Sequence, residues 1–328
     1  MQQIEGHSGR SRWANSWKIA AATFLLAGWL PTGSMAQEQG QKTFSSCQQA
    51  ASALMAAAQA NDQKALLEIL GPGAKDIISS GDATEDAANR AEMVKRYSEM
   101  HRMVKEPNGT TTLYMGAENW PMPIPLVNKG NIWYFDTAAG KKEVLYRRVG
   151  RNEISTIRVL QELVAAQKEY NSSHQEYAQA IISDPGKQNG LYWEAAQGQP
   201  ESPIGPLVAS AVAEGYRPTS DSAPHSPYRG YYYHVLTGQG PSAPGGAKNY
   251  IVDGKMTGGF AFVAYPAEYR SSGVMTFIVG QDGVVYRKDL GWNTATIAKA
   301  MKSYNPDATW KKDEDQQEES AAMQKPAN

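Results

Sequence analysis

Four histidines follow residue 36, at His101, His174, His225 and His234. A zinc site of the H-E-x-x-H kind needs two ligands four apart on one helical face, and no two of these histidines have that spacing. His234 alternates with Tyr232, which puts both on one face of a strand as structural residues. Cys47 is the sole cysteine, so no internal disulfide can form. At the start of an Ala-rich segment it reads as a half-buried small apolar residue rather than a reactive thiol. No G-x-S-x-G elbow offers a strained serine nucleophile. Gly238, Gly240, Gly245 and Gly246 lack the Lys-Ser/Thr of a phosphate loop. Glu194, Glu201, Asp253, Glu268 and Asp282 are scattered, which supports neither a glycosidase pair nor a clustered calcium site. No catalytic residue, metal ligand or cofactor is assigned from these patterns.

Aromatic residues are the one concentration above background. Tyr192, Trp193, Tyr216, Tyr228, Tyr231, Tyr232 and Tyr233 crowd a Gly/Pro-rich stretch and the strand that follows it. Rings with polar tips beside flexible loops can recognise a sugar or a peptide, and Tyr192, Trp193, Tyr231 and Tyr233 are the ligand-surface candidates. The plainer reading is a small sheet that uses its tyrosines as core.

The chain starts with a secretory pattern. Arg10, Arg12 and Lys18 precede an apolar run at 19–30, and Ser34 and Ala36 flank Met35 as a small-x-small cleavage site. The run is about 12 residues, whereas a membrane span needs roughly 20. Residues 1–36 are therefore expected to be removed between Ala36 and Gln37, with the product in the periplasm and without a membrane span. Removal takes three basic residues and one acid from the 32 Lys+Arg and 33 Asp+Glu, leaving a net charge of −3. That balance argues against a nucleic-acid partner, which requires a basic surface.

Element signals divide the remainder in two. In the first part, Ser45 or Ser46 caps an Ala-rich helix to about residue 60, and Asp62 caps a second that Gly71 and Pro72 stop. A short turn covers 74–78. Asp82 and Glu85 have capping-box spacing for a long helix reaching about Val104. β-rich segments follow at 110–116 and at 125–136, the latter a hairpin turning at Asn128, Lys129 and Gly130. A connecting helix at 140–148 ends at Gly150.

Asn152 then caps a helix to Tyr170, with Ile154, Ile157, Leu160, Leu163, Val164 and Ala165 on its apolar stripe. An irregular stretch at 184–247 contains one helix at 207–213. Four strand signals and a closing helix at 294–304 complete this part, and Gln281, Asp282 and Gly283 form a hairpin turn. The expectation is an α+β chain: an α+β domain over 37–150, a helix-on-sheet domain over 151–305, and a disordered polar tail over 306–328.

Three resemblances bear on this layout. Helices followed by a small sheet that ends in the "KGNIWYFD" hairpin look like nuclear-transport-factor-2-like rolls. The segments "ILGPGAKDIISSGD", "WPMPIPLV", "WYFDTAAGKKEVLYRRVGRNE" and "GVMTFIVGQDGVVYRKDLG" resemble an uncharacterised family of exported bacterial proteins, domain of unknown function 2950. That resemblance spans about residues 43–310 and implies export. Residues 151–290 are also similar to type IV pilin and pseudopilin globular domains in their order of long helix, loop and antiparallel sheet. Pilins continue that helix backwards into an apolar half, whereas here "KKEVLYRRVGR" is basic and polar, so pilus assembly does not carry over.

The functional expectation is a non-catalytic envelope protein that binds a protein partner or a polysaccharide. The alternatives are a hydrolase acting on envelope material and an accessory of a secretion or pilus system.

Overall fold

The computed structural model describes residues 37–195, 200–218 and 226–313. The expected export segment, with Ala36 of the expected cleavage site, His225 and residues 314–328 lie outside the described residues.

The chain opens with α1 (Cys47–Gln59), α2 (Gln63–Leu70), α3 (Lys75–Ile78) and α4 (Ala83–Glu99). Side-chain oxygens of Ser46, Asp62 and Asp82 each accept the backbone N–H three residues on, which fixes the three long N-termini. Alanines 50, 51, 57 and 58 are buried on α1 and let α2 and α4 approach closely. Cys47 is buried there too, with its Sγ against Gln48.

A curved sheet follows: β1 (His101–Lys105), β2 (Thr111–Met115), β3 (Trp120–Pro121), β4 (Leu126–Lys129) and β5 (Ile132–Phe135). Its order is β1-β2-β4-β5, with β3 beside β2. The expected helix to Val104 stops at Glu99, because His101 to Lys105 pair antiparallel with β2 over five residues. A full ladder of backbone hydrogen bonds outweighs the helical spacing of Met100 and Met103. The β4–β5 turn is the pair Gly130 and Asn131, both at positive φ, one step later than the sequence suggests.

Helix α5 (Thr137–His174) is a single 38-residue rod. The two helices expected on either side of Gly150 are one, started by the Asp136 cap on Ala139 N–H. Asn152 is not a cap but a buried mid-helix residue. Gly140 is required where the rod meets the chain before β4, since a Cβ there would lie 2.4 Å from the Pro123 carbonyl oxygen.

Beyond the rod come β6 (Ala180–Ile182), β7 (Gly190–Tyr192) and α6 (Gly205–Ala213), then β8 (Tyr231–Leu236), β9 (Gly238–Gln239), β10 (Lys248–Asn249), β11 (Ile251–Val252) and β12 (Lys255–Met256). The supposed irregular stretch at 184–247 therefore carries short strands, among them β9 and β7, the latter pairing parallel with β6 just ahead of it. β13 (Ala261–Pro266), β14 (Met275–Gly280) and β15 (Val285–Asp289) follow, then α7 (Thr294–Ala300), β16 (Ser303–Tyr304) and β17 (Lys311–Lys312). The main sheet is antiparallel in the order β17-β15-β14-β13-β8. Residues 303–304 and 311–312 are strands and Asp313 is buried against Arg287, so the polar tail does not begin at 306. The closing helix stops at Ala300, and 303–304, expected as its end, pair with β9, while β15 holds 311–312, which composition alone marked as loose.

The architecture is mixed α+β with two apolar cores. One gathers α1 to α3, the first sheet and the start of α5. The other gathers the second half of α5, β6 to β8, α6 and the main sheet. α5 lies across β13 and β14 through Leu160, Leu163 and Val164. Ile154 and Ala165, expected on that stripe, are exposed, and Ala166 is buried in their place. Among the described residues no helix is long and apolar enough to cross a membrane.

Candidate functional site

Two clefts are lined by described residues, one over each core. The smaller, about 140 Å³, lies between α5, β6 and α6. Val159, Leu163, Ile182, Leu207 and Val208 form its walls, with Tyr216, Tyr228, Tyr232 and Tyr233 at one side. Two of these hydroxyls are committed: Tyr216 donates to Asp82 Oδ2 at 3.0 Å and Tyr233 to Thr156 Oγ1 at 3.3 Å. Burial foremost, then the Asp82 charge, drives the Tyr216 phenol far above its ordinary range, so it stays a neutral donor.

The four ligand-surface candidates do not form one patch. Tyr233 borders this cleft. Tyr231 is fully buried, its hydroxyl donating to the Met275 carbonyl. Trp193 is buried, with its indole N–H on the Pro200 carbonyl and its ring edge-on to Tyr170 and His174. Tyr192 packs half-buried against the same core. Here the tyrosines serve mainly as core.

The three described histidines are equally occupied. His101 stacks on Tyr97 and His174 on Tyr170, one helical turn back in each case. His234 faces the Met301 carbonyl at 3.2 Å and shares Tyr265 as a neighbour with Tyr232. Glu194, Glu201, Asp253, Glu268 and Asp282 line neither cleft. Among the described residues, no group of three or more His, Cys, Asp or Glu could hold a metal ion.

The larger cleft, about 320 Å³, opens between α4 and α5 over the first core. Its floor is Leu54, Leu66, Leu70, Ile77, Ile78, Met122 and Ile124. Met93, Trp120 and Val144 form the sides. Five arginines surround it, Arg90 and Arg96 from α4 and Arg147, Arg148 and Arg151 from α5, against two carboxylates, Asp86 and Glu92. Helical geometry produces this ring, because residues three and four apart on α5 share a face and that face looks toward α4.

The arginines are held in different ways. Arg96 binds Glu92 at 2.7 Å. Arg147 binds Glu143 at 2.6 Å and lies over the Trp120 ring. Arg151 reaches Glu85 and Asn89 at 3.4 Å, closing one end of the cleft. Arg90 donates only to neutral oxygens, those of Asn61 and Ile78.

Arg148 is 7% exposed, and its guanidinium donates to the carbonyls of Asp76 and Ile77 and to Ser271 Oγ. No carboxylate lies within ion-pair distance of it among the described residues; Asp86 and Glu85 act on it from farther away. Burial lowers its pKa from the ordinary arginine range, although it remains protonated. Asp86 is spent on the Ser80 N–H.

Behind Arg148 the rod carries a buried polar face at a spacing of four. Asn152 donates to Glu85 and to the Ser272 carbonyl, and Thr156 meets Tyr233. Asp82 completes this joint by accepting from Tyr216 and from Gly230 N–H. Burial raises the Glu85 pKa, with Arg151 opposing it.

Reading the sequence missed the arginine ring. The visible signal is "RRVGR" at 147–151, a basic run in an otherwise slightly acidic chain. Breaking the helix at Gly150 hid the fact that these arginines share one face.

A family model described as Protein of unknown function (DUF2950) matches residues 41–312. The chain belongs to this family. No curated protein and no solved structure matches the chain. Within this DUF2950 chain, the matched span contains every residue of both clefts and of the polar joint. The likeness to pilin globular domains has no structural match behind it and rests on the helix-on-sheet order alone.

Proposed function

We propose that this DUF2950 protein is exported, processed after Ala36, and acts in the periplasm as a non-catalytic binding protein whose ligand is a small organic anion with an apolar body. The larger cleft is the site. The observation that carries this reading is Arg148, a buried guanidinium with only neutral partners at the wall of an apolar cavity. A buried charge without an ion-pair partner is costly, and an incoming anion offsets that cost with charge-assisted hydrogen bonds of about 1.5–3 kcal/mol each. Arg90, Arg96, Arg147 and Arg151 add a field at the mouth. Neither histidine nor cysteine lines the cleft, and both its carboxylates are engaged, which supports binding over hydrolysis.

Two fluorescent probes test the site. 8-Anilinonaphthalene-1-sulfonate carries the charge, and N-phenyl-1-naphthylamine has the same apolar body without it. The sulfonate is expected to bind saturably and at least about tenfold more tightly, a difference of about 1.4 kcal/mol. Arg148→Met should remove most of that preference, and Arg90→Met and Arg147→Met should each reduce it in part. Equal affinity for the two probes would overturn the reading. Export is checked separately: the mass of the protein in a periplasmic extract should begin at Gln37, and a full-length membrane-held product would contradict it.

A further inference from the structure

Resting on that anion-binding reading, we infer that the ligand is a single-chain amphiphile, one unbranched alkyl or acyl chain of about ten carbons ending in a carboxylate or phosphate. Three features of the cleft converge on this class.

The first is volume. The cleft of about 320 Å³ is roughly twice an apolar cavity of about 150 Å³ that takes up one benzene, which is room for about ten to twelve carbons. One medium-length chain fills it, and a two-chain lipid does not fit.

The second is the lining. Leu54, Leu66, Leu70, Met122 and Ile124 offer methyl, methylene and thioether surface without a donor or acceptor. A sugar or a nucleobase buried there would leave its polar groups unpaired, at several kcal/mol for each group. Trp120, the one aromatic residue lining the cleft, has Arg147 over its ring, so no pair of rings is set to sandwich a flat ligand.

The third is the separation of charge from that surface. The guanidinium groups come from α4 and α5, while the floor comes from α1, α2, α3 and the chain around β3; Arg90 and Arg148 meet it only along one side, at the Ile78 and Ile77 carbonyls of α3. A ligand must therefore carry its charge at one end and hydrocarbon at the other.

Calorimetric titration of the purified protein with n-alkanoates of six to sixteen carbons, each below its micelle concentration, tests this. Affinity should rise by about fourfold per methylene, the value of burying one CH₂, and level off near ten to twelve carbons as the tail reaches the end of the cavity. Val144→Phe, which adds volume from α5, should move the plateau to shorter chains. Met93→Ala, which removes volume from α4, should move it to longer ones.

n-Dodecanol should bind at least tenfold more weakly than both n-dodecanoate and n-dodecyl phosphate, and the tighter of those two anions identifies the head group. A flat series, a rise without a plateau through sixteen carbons, or dodecanol binding as tightly as the anions overturns the inference. If the sulfonate probe still outcompetes its neutral analogue, the anion site stands and only the chain is lost. If that preference fails as well, the site itself falls.

Discussion

The two cores that share α5 are packed to different ends. In the C-terminal core, β13 is buried at all six positions, Leu160, Phe262, Phe277 and Val279 are sealed between rod and sheet, and Ile278 is buried on the opposite face. In the N-terminal core, α4 spans seventeen residues with only Asp86 fully buried, and its apolar Met93, Val94 and Tyr97 are half-buried above a cavity. The C-terminal core is the more closely filled, with a cleft of about 140 Å³ against about 320 Å³ in the N-terminal core, the hollow one of the two. Close packing is the default for protein interiors, so a gap kept open between two helices and ringed by arginines marks the half built for a ligand. The filled half anchors the rod from which three of those arginines project.

The strongest test of this contrast is one substitution made twice. Leu160 and Leu54 are both buried leucines, one in each core. Leu160→Ala leaves a closed cavity and should cost near the top of the range of about 2–5 kcal/mol, read from urea denaturation. Leu54→Ala only enlarges a cleft that is already open, so it should fall near the bottom of that range. Gln161→Ala, exposed on the same rod, should stay within about 0.5 kcal/mol of wild type. Equal losses at the two leucines would mean that the cleft closes in solution, and the contrast would be lost.

The filled half was the easier to read. Its strands alternate or run apolar, and the spacing of Leu160, Leu163 and Val164 predicts the face that packs on the sheet. Helices α1, α2 and α4 are also legible from Ser46, Asp62 and Asp82, because capping is local chemistry. What failed was set by distant partners. β1 was taken for helix since its hydrogen bonds go to β2. The strands at 303–304 and 311–312 depend on β9 and β15.

The site was illegible for a related reason. A buried Arg148 looks like any surface arginine until Asp76, Ile77 and Ser271 are brought to it from other parts of the chain. The tyrosine cluster was visible and has a largely structural role, whereas the arginine ring was spread over two helices.

A smaller effect lies at the polar joint between the cores. Burial raises the Glu85 carboxyl above its unfolded value of 4.5, while Arg151 and Arg148 pull it down and Asp82 adds to the rise. With the folded pKa raised, the native state binds the proton more tightly than the unfolded chain does. Stability from this group is then fully present below pH 4.5 and is lost as pH rises through the folded value. Glu85→Gln keeps an acceptor for Asn152 and removes the titration. Relative to that variant, wild type should weaken as pH rises across this window, measured as urea midpoints for both proteins. A wild type that instead gains on the variant with rising pH would show that the ion pair with Arg151 outweighs burial, making the joint an electrostatic clamp rather than a buried polar contact.

The smallest effect concerns the rod that joins the two halves. Gly150 sits inside α5, and a methyl group added there meets nothing within 4 Å. Its backbone is helical, so alanine fits without strain and mainly restricts the unfolded chain. Gly150→Ala should therefore stabilise the protein by about 0.5–1 kcal/mol. Where that gain appears is informative. The residue lies between Arg148, which faces the hollow core, and Asn152, which is fixed to the Ser272 carbonyl of the filled one. If the rod unfolds as one unit with both cores, a single thermal transition moves up by a degree or a few. If the hollow half opens first and frays α5 back to the joint, only an early transition shifts, and hydrogen exchange slows between residues 137 and 150 but not between 157 and 170. A destabilised variant would mean that the helix bends at Gly150 in solution, which would remove the rigid rod on which the comparison of the two cores depends.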